Sequence, residues 1–254
     1  MKTKVIYFSP TGTTKEVVKE VTRGVGYDYS EVDLTKSENR EKEIAIGEDE
    51  LTIIGAPVYG GRVPKVVRNV LEANLEGGKL CVIVSVYGNR AYDNALAELQ
   101  YVVDKKNLTV IAATAAIGEH SYSEEIAKGR PDELDLAKLF DFGELIREKI
   151  SLKQYKEIKV PGKVPEGESK ISSNYTVATD ACNLCGLCAK YCPMNAISKE
   201  NPDSDAINEK CIMCCKCIKI CPEDAREPKD DVSSFVNKLK TKIAKEWKEI
   251  EVFI

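Results

Sequence analysis

The sequence predicts an α/β chain: a doubly wound sheet of five parallel strands, followed by a small α+β module built on cysteines and a closing helix. Two observations predict it. Up to residue 152, short apolar runs alternate with amphipathic stretches, the pattern of strands joined by crossover helices. Beyond that, nine of the ten cysteines crowd between Cys182 and Cys221, and only Cys81 lies earlier.

In chain order, Val5–Phe8 reads as the first buried strand and Thr13–Gly24 as a helix with Val17, Val18 and Val21 on one face. Tyr29–Leu34 is the second strand, and the polar Lys36–Glu50 predicts a short, irregular crossover. Leu51–Ala56, Leu80–Val86 and Leu108–Ala116 are the third, fourth and fifth strands, with helices at Val63–Leu75 and Ala91–Asp104 between them. Leu134, Leu139, Leu145, Ile146 and Ile150 mark a helix over Pro131–Ser151, which completes a first unit at 1–152. Residues 153–176 have no apolar periodicity and hold Pro161, Gly162, Pro165 and Gly167, as a linker or wrapping arm would. The cysteine module is 177–230. Over 231–254 an amphipathic helix is expected, with Val232, Phe235, Val236, Leu239, Ile243 and Trp247 at helical spacing. That stripe reads as core packing, with a homodimer contact as the alternative.

The 254 residues carry a net charge of −4, which argues against nucleic acid as a partner. No apolar run approaches the roughly 20 residues of a membrane helix. Met1–Phe8 reads directly as a strand and not as a cleavable leader, so a cytoplasmic protein is expected. In that setting dense cysteines imply metal ligation over disulfides, and a single histidine, His120, argues against His-rich zinc or haem sites.

Cys182-x2-Cys185-x2-Cys188-x3-Cys192-Pro193 repeats as Cys211-x2-Cys214-x2-Cys217-x3-Cys221-Pro222, each position offset by 29 residues. Three thiolates on one tight loop can grip three irons of a cubane, while the cysteine before proline turns away to the other cluster. The expected sets are therefore Cys182, Cys185, Cys188 and Cys221 for one 4Fe–4S centre, and Cys211, Cys214, Cys217 and Cys192 for the other. Paired zinc knuckles are the alternative, but they do not use this triple spacing ending in Cys-Pro. Cys215 stands where the first repeat has Gly186 and is read as a packed thiol, as is Cys81 within its strand. Arg226, where the first repeat has Ile197, sets a cation beside one cluster. The module resembles bacterial two-cluster ferredoxins over about 50 residues.

Three loops at the carboxyl ends of the strands suggest a second site. Ser9, Thr11, Gly12, Thr13 and Thr14 offer hydroxyls and backbone N–H groups at a helix N-terminus, suited to a phosphomonoester and unlike either a dinucleotide fingerprint or a P-loop. Pro57, Val58, Tyr59, Gly60 and Gly61 form the second loop; Val86, Tyr87, Gly88, Asn89, Tyr92 and Asp93 belong to the third. Each sets tyrosine among glycines, so that a planar ring can stack while the backbone comes close. These loops resemble those of flavodoxins, over about 150 residues, and the whole chain resembles the flavodoxin–ferredoxin fusions of anaerobic microbes. The resemblance implies FMN, with Ser9–Thr14 as the phosphate loop, Tyr59 beside the flavin ring and Tyr92 stacked on it. The loop from Gly118 to Ser123, with His120, is read as structural or flavin-lining. The expected function is electron transfer between two 4Fe–4S clusters, FMN and external redox proteins. The alternative is an FMN-dependent reductase of a small acceptor such as a quinone, nitro compound or flavin.

Overall fold

A computed structural model describes residues 1–167, 175–229, 232–243 and 246–254. The expected arm at 168–174 and the expected helical positions 231, 244 and 245 lie outside the described residues. The elements are β1 (Lys2–Tyr7), α1 (Thr13–Val25), β2 (Tyr29–Asp33), β3 (Ile44–Ile46), β4 (Glu50–Pro57), α2 (Lys65–Asn74), β5 (Leu75–Gly77) and β6 (Leu80–Tyr87). They continue with α3 (Ala95–Asp104), β7 (Thr109–Ile117), α4 (Glu133–Ser151), β8 (Thr176–Ala178), α5 (Leu187–Lys190), α6 (Lys216–Lys219), β9 (Arg226–Pro228), α7 (Ser233–Ile243) and β10 (Glu251–Phe253).

The main sheet runs β10-β7-β6-β4-β1-β2. Its last five strands are parallel, in register with Val5 between Glu31 and Ile53, and they are the five the sequence predicts. β4, β6 and β7 are almost wholly buried apolar runs, with Ile53, Ile54, Val82, Ile83 and Ile111, because helices cover both faces, whereas β2 at the edge is polar and largely exposed. The chain leaves β1 toward β2 on one side and later returns to β4 on the other. That switch point is where open α/β sheets hold ligands, outside the carboxyl ends of the strands. The Lys36–Glu50 crossover is irregular as expected, with one 3-10 turn at Ser37–Asn39 and a short β3 that pairs in parallel with β5 outside the main sheet.

The closing segment differs from its sequence reading. The helix expected over 231–254 is confined to α7, and the chain then extends into β10, a sixth strand antiparallel to β7 with Val252 opposite Thr114. Asn89 explains the stop: its side-chain amide donates to the carbonyls of Ile243 and Glu246, both at 2.9 Å, and so caps the orphan end of α7 from a distant loop. Trp247 leaves the helical stripe altogether. It is 64% exposed, with the Arg130 guanidinium 4.2 Å from its ring centroid. Among the described residues no helix is long and apolar enough to cross a membrane.

Residues 153–167 wrap the first unit. Ile158 donates its N–H to Val110, and Gln100 donates its side-chain amide to the Ile158 carbonyl at 2.8 Å. The cysteine module follows, tied by β8–β9 pairing and docked on the sheet unit by Arg40, whose guanidinium donates to the Pro193 carbonyl, and by a 2.9 Å ion pair between Lys219 and Glu119.

Helix α1 crosses α4 at two glycines. A Cβ on Gly24 would sit 2.0 Å from the Phe140 carbonyl oxygen, and one on Gly143 would sit 2.3 Å from that of Val21. Both neighbours are backbone and cannot swing aside, so Gly24→Ala should destabilise the protein by about 1–3 kcal/mol, the usual range for overpacking. Thermal unfolding checks it, and an unchanged midpoint would mean that the two helices can separate freely.

Candidate cofactor site

At the switch point, the turn after β1 opens a cleft of about 920 Å³ counted out to its mouth. Gly12, with φ at +99°, brings the chain round into α1. Among the described residues, no acceptor takes the backbone N–H of Thr11, Thr13 or Thr14, and their hydroxyls have no protein partner. Those donors stand at the positive end of a 13-residue helix, which is what a phosphate dianion needs in place of a fixed cation. Ser9 serves the turn itself: its hydroxyl accepts the Lys15 N–H at 2.9 Å, and its own N–H goes to Thr35 Oγ1 at 2.8 Å. Ser9 and Gly12 thus shape the loop from behind the cleft wall.

Pro57, Val58, Tyr59, Gly60 and Gly61 form one wall. The loop is a tight turn, with Tyr59 and Arg62 exchanging N–H···O bonds at 2.9 and 3.1 Å. Beneath it lies the buried Glu98 carboxylate, which accepts from the Val63 N–H at 2.8 Å and pairs with Arg62 at 2.6 Å and Arg68 at 3.1 Å. Val86, Tyr87 and Gly88 form the opposite wall. A Cβ on Gly88 would lie 2.6 Å from the His120 ring, so glycine there lets His120 close in.

Three residues expected here are placed elsewhere. Asn89 caps α7. Tyr92 packs edge-on against Tyr87, with ring centroids 5.5 Å apart, and donates its hydroxyl to Glu251 at 2.9 Å. Asp93 pairs with Arg90. Both side-chain partners of the C-terminal segment are engaged by residues of β10 or the stretch before it, which the sequence reading assigned to a helix.

In their place the cleft gains Pro10, His120, Tyr122, Met213, Phe235 and Leu239, among others. His120 falls in the loop read as structural or flavin-lining. Its Nδ1 accepts the Tyr122 N–H at 3.1 Å, so the neutral ring carries its proton on Nε2. Burial, then Arg90 and Lys219, push it down to about 4. Burial also holds the Tyr59 and Tyr122 phenols well above their ordinary value. Met213, Phe235 and Leu239 come from beyond the first unit, and no local pattern in the sequence ties them to it.

The cysteines surround two chambers of about 300 Å³ each. One is walled by Cys182, Cys185, Cys188 and Cys221, and the other by Cys211, Cys214, Cys217 and Cys192. Each thus takes three cysteines from one run and the cysteine before proline from the other. The backbone N–H of Ala196 reaches Cys192 Sγ at 3.3 Å, and that of Ala225 reaches Cys221 Sγ at 3.2 Å, a matched pair in the two repeats. In each case the four thiols line one enclosed space, and the triple Cys-x2-Cys-x2-Cys run with a remote fourth cysteine is the donor set of a cubane cluster. Arg226, 3% exposed on the wall of the first chamber, has buried Nε and Nη1 without a partner among the described residues, a cation left for an anionic occupant. Cys215 is buried in the wall of the second chamber and donates to the Met213 carbonyl at 3.6 Å. Cys81 is buried in β6.

These features define a flavin-binding α/β unit carrying a thiolate iron–sulfur module. A flavodoxin domain family model matches residues 4–171, two thirds of the sequence, and a 4Fe-4S binding domain model matches residues 175–198. The chain belongs to the flavodoxin domain family. With its second domain it is an electron-transfer flavo-iron–sulfur protein, with FMN and at least one iron–sulfur cluster as its cofactors. No curated protein matches it. Among solved structures it is similar to a flavodoxin from the domain Archaea, at 16% identity over 59% of this chain and 99% of that one, TM-score 0.40. It is also similar to the Streptococcus pneumonia TIGR4 flavodoxin, at 18% identity over 60% and 99%, TM-score 0.40. A flavone reductase aligns at 10% identity over 62% and 66%, TM-score 0.43.

Because the folded chain holds His120 near 4 and the unfolded chain near 6.5, the unfolded state binds more protons between those values. Stability from this group is therefore complete above pH 6.5 and is lost as pH falls toward 4. His120→Asn should lose less of its melting temperature than the parent between pH 6.5 and 4.5. Parallel curves for the two proteins would mean that His120 is not held neutral.

Proposed function

We propose that the chain is an internal electron relay in which two 4Fe–4S centres connect an external redox protein to FMN. The Cys182 set would hold the outer centre, since Cys185 is exposed, and the Cys211 set the inner one, since Cys214 is buried. The observation that carries this reading is Met213, which borders both the inner chamber and the FMN cleft. Each cluster passes single electrons and FMN accepts one or two, so joining them lets single-electron traffic be paired.

The protein's own residues supply binding and exclusion. Thr11, Thr13 and Thr14 would take the phosphate, and Tyr59, Tyr87 and Tyr122 would flank the ring system. Phe235 and Leu239 on α7 add apolar lining to the cleft and would shield one side of a bound ring from water. Redox proteins are the fitting partners at the exposed cysteine side, and a reducing compartment such as the cytoplasm would preserve the thiolates. The reductase reading draws on His120, whose ring lines the cleft with its proton on Nε2, which could be offered to a small acceptor.

Anaerobically loaded protein should contain about eight irons and about one FMN per chain. Electrons from dithionite should then pass through it to a protein acceptor faster than to a quinone or nitro compound. Zinc in place of iron, or a turn that binds no FMN, would sink the relay; rapid turnover of the small acceptor that His120→Asn slows would replace it with the reductase.

A further inference from the structure

Arg226 stands five residues after Cys221, as Ile197 stands five after Cys192. The two repeats place these residues equivalently: Ile197 lines the chamber of Cys192 and Cys211, and Arg226 lines that of Cys221 and Cys182. One chamber therefore has an apolar wall where the other has a cation. That cation is buried, and its Nη2 donates to the Pro202 carbonyl, but among the described residues Nε and Nη1 have no partner. No acidic side chain pairs with it among the described residues. An uncompensated guanidinium is tolerated inside a protein when a negative group faces it.

We propose that Arg226 holds the reduction potential of the outer centre above that of the inner one, so that a single electron rests on the outer centre. This rests on the two-cluster reading. A 4Fe–4S centre reduced by an external one-electron donor gains one negative charge, with no bond made or broken and no proton required. A fixed positive charge in a low-dielectric wall stabilises the more negative state and raises the potential. The same charge also reaches the inner centre through the module, but Arg226 forms part of the outer chamber's wall and not of the inner one's. The outer centre should feel it most.

The experiment is an anaerobic redox titration of the full loaded chain, followed by electron paramagnetic resonance, with iron and sulfide measured on the same sample. In Arg226→Ile, which copies the other repeat, both midpoint potentials should fall, one further than the other, so that the gap between them narrows. Arg226→Gln keeps a donor for Pro202 and should do the same if the isoleucine variant fails to assemble. Arg226→Lys should keep most of the gap, and Ile197→Arg should raise the lower potential. A gap unchanged in Arg226→Gln with all irons present overturns the proposal. Parent protein with about four irons fails the two-cluster reading instead.

Discussion

An open parallel sheet leaves the N–H and C=O groups of its outermost strand without partners, and in this chain the last residues take those of β7. The pairing is short, three residues, but it is fastened at its leading end. Thr114 donates its hydroxyl to the Glu251 carbonyl at 2.8 Å, Tyr92 reaches the Glu251 carboxylate, and Trp247 lies against Arg130, which is itself held by the buried Asp135. Between this strap and the cysteine module, α7 has little choice of position. Leu239 and Ile243 pack with Ile126, and Asn89 grips the carbonyl at the helix end. The cleft gains its lining from α7 because the C-terminus returns to the sheet.

The same economy governs charge. The turn at Thr11–Thr14 offers neutral donors at a helix end, with no buried cation among them, so its neighbours can stay apolar. Where charge is buried near the cleft, it is matched: Glu98 meets Arg62, Arg68 and a backbone N–H, and in doing so fixes the loop that bears Tyr59. Breaking such a pair costs far more than forming it gains, so the loop conformation is specified even where the net stabilisation is small. Arg226 is the exception among the buried cations, and it lies against cysteines.

Most of the fold was legible because its signals are local. The inner parallel strands are apolar runs with a helix behind them, and the cysteine repeat announces itself through spacing alone. That the Ser9–Thr14 turn and both tyrosine–glycine loops meet at one cleft was also legible, since strand ends place them together in any doubly wound sheet. What sequence reasoning missed depends on contacts between distant segments. Glu251–Phe253 is too short to signal a strand and becomes one only through an edge more than a hundred residues away. The helical stripe ran on to Trp247 because nothing local reveals that Asn89 ends the helix at Ile243. Asn89, Tyr92 and Asp93 were read as cofactor residues for the same reason: their true partners, apart from Arg90, come from the returning C-terminus. Met213 carries no signal of its own within the cysteine run, and only the docked structure sets it between chamber and cleft.

The crossed cysteines add a mechanical consequence to this arrangement. Since Cys192 and Cys221 each leave their own run to close the other chamber, neither half of the module can open without disturbing both walls. The module is short of ordinary core, with a small cluster around Ala196, Ile197 and Ala206, so its rigidity must come from whatever the thiols hold. Electron transfer rewards that rigidity, because rates fall steeply when separations wander. Arg40 and Lys219 then transmit the rigidity to the sheet unit, one at each repeat: Arg40 binds beside Cys192 and Lys219 beside Cys221. Two anchors, one on each half of the module, set its docking on the sheet unit, and with it the placing of Met213 between chamber and cleft.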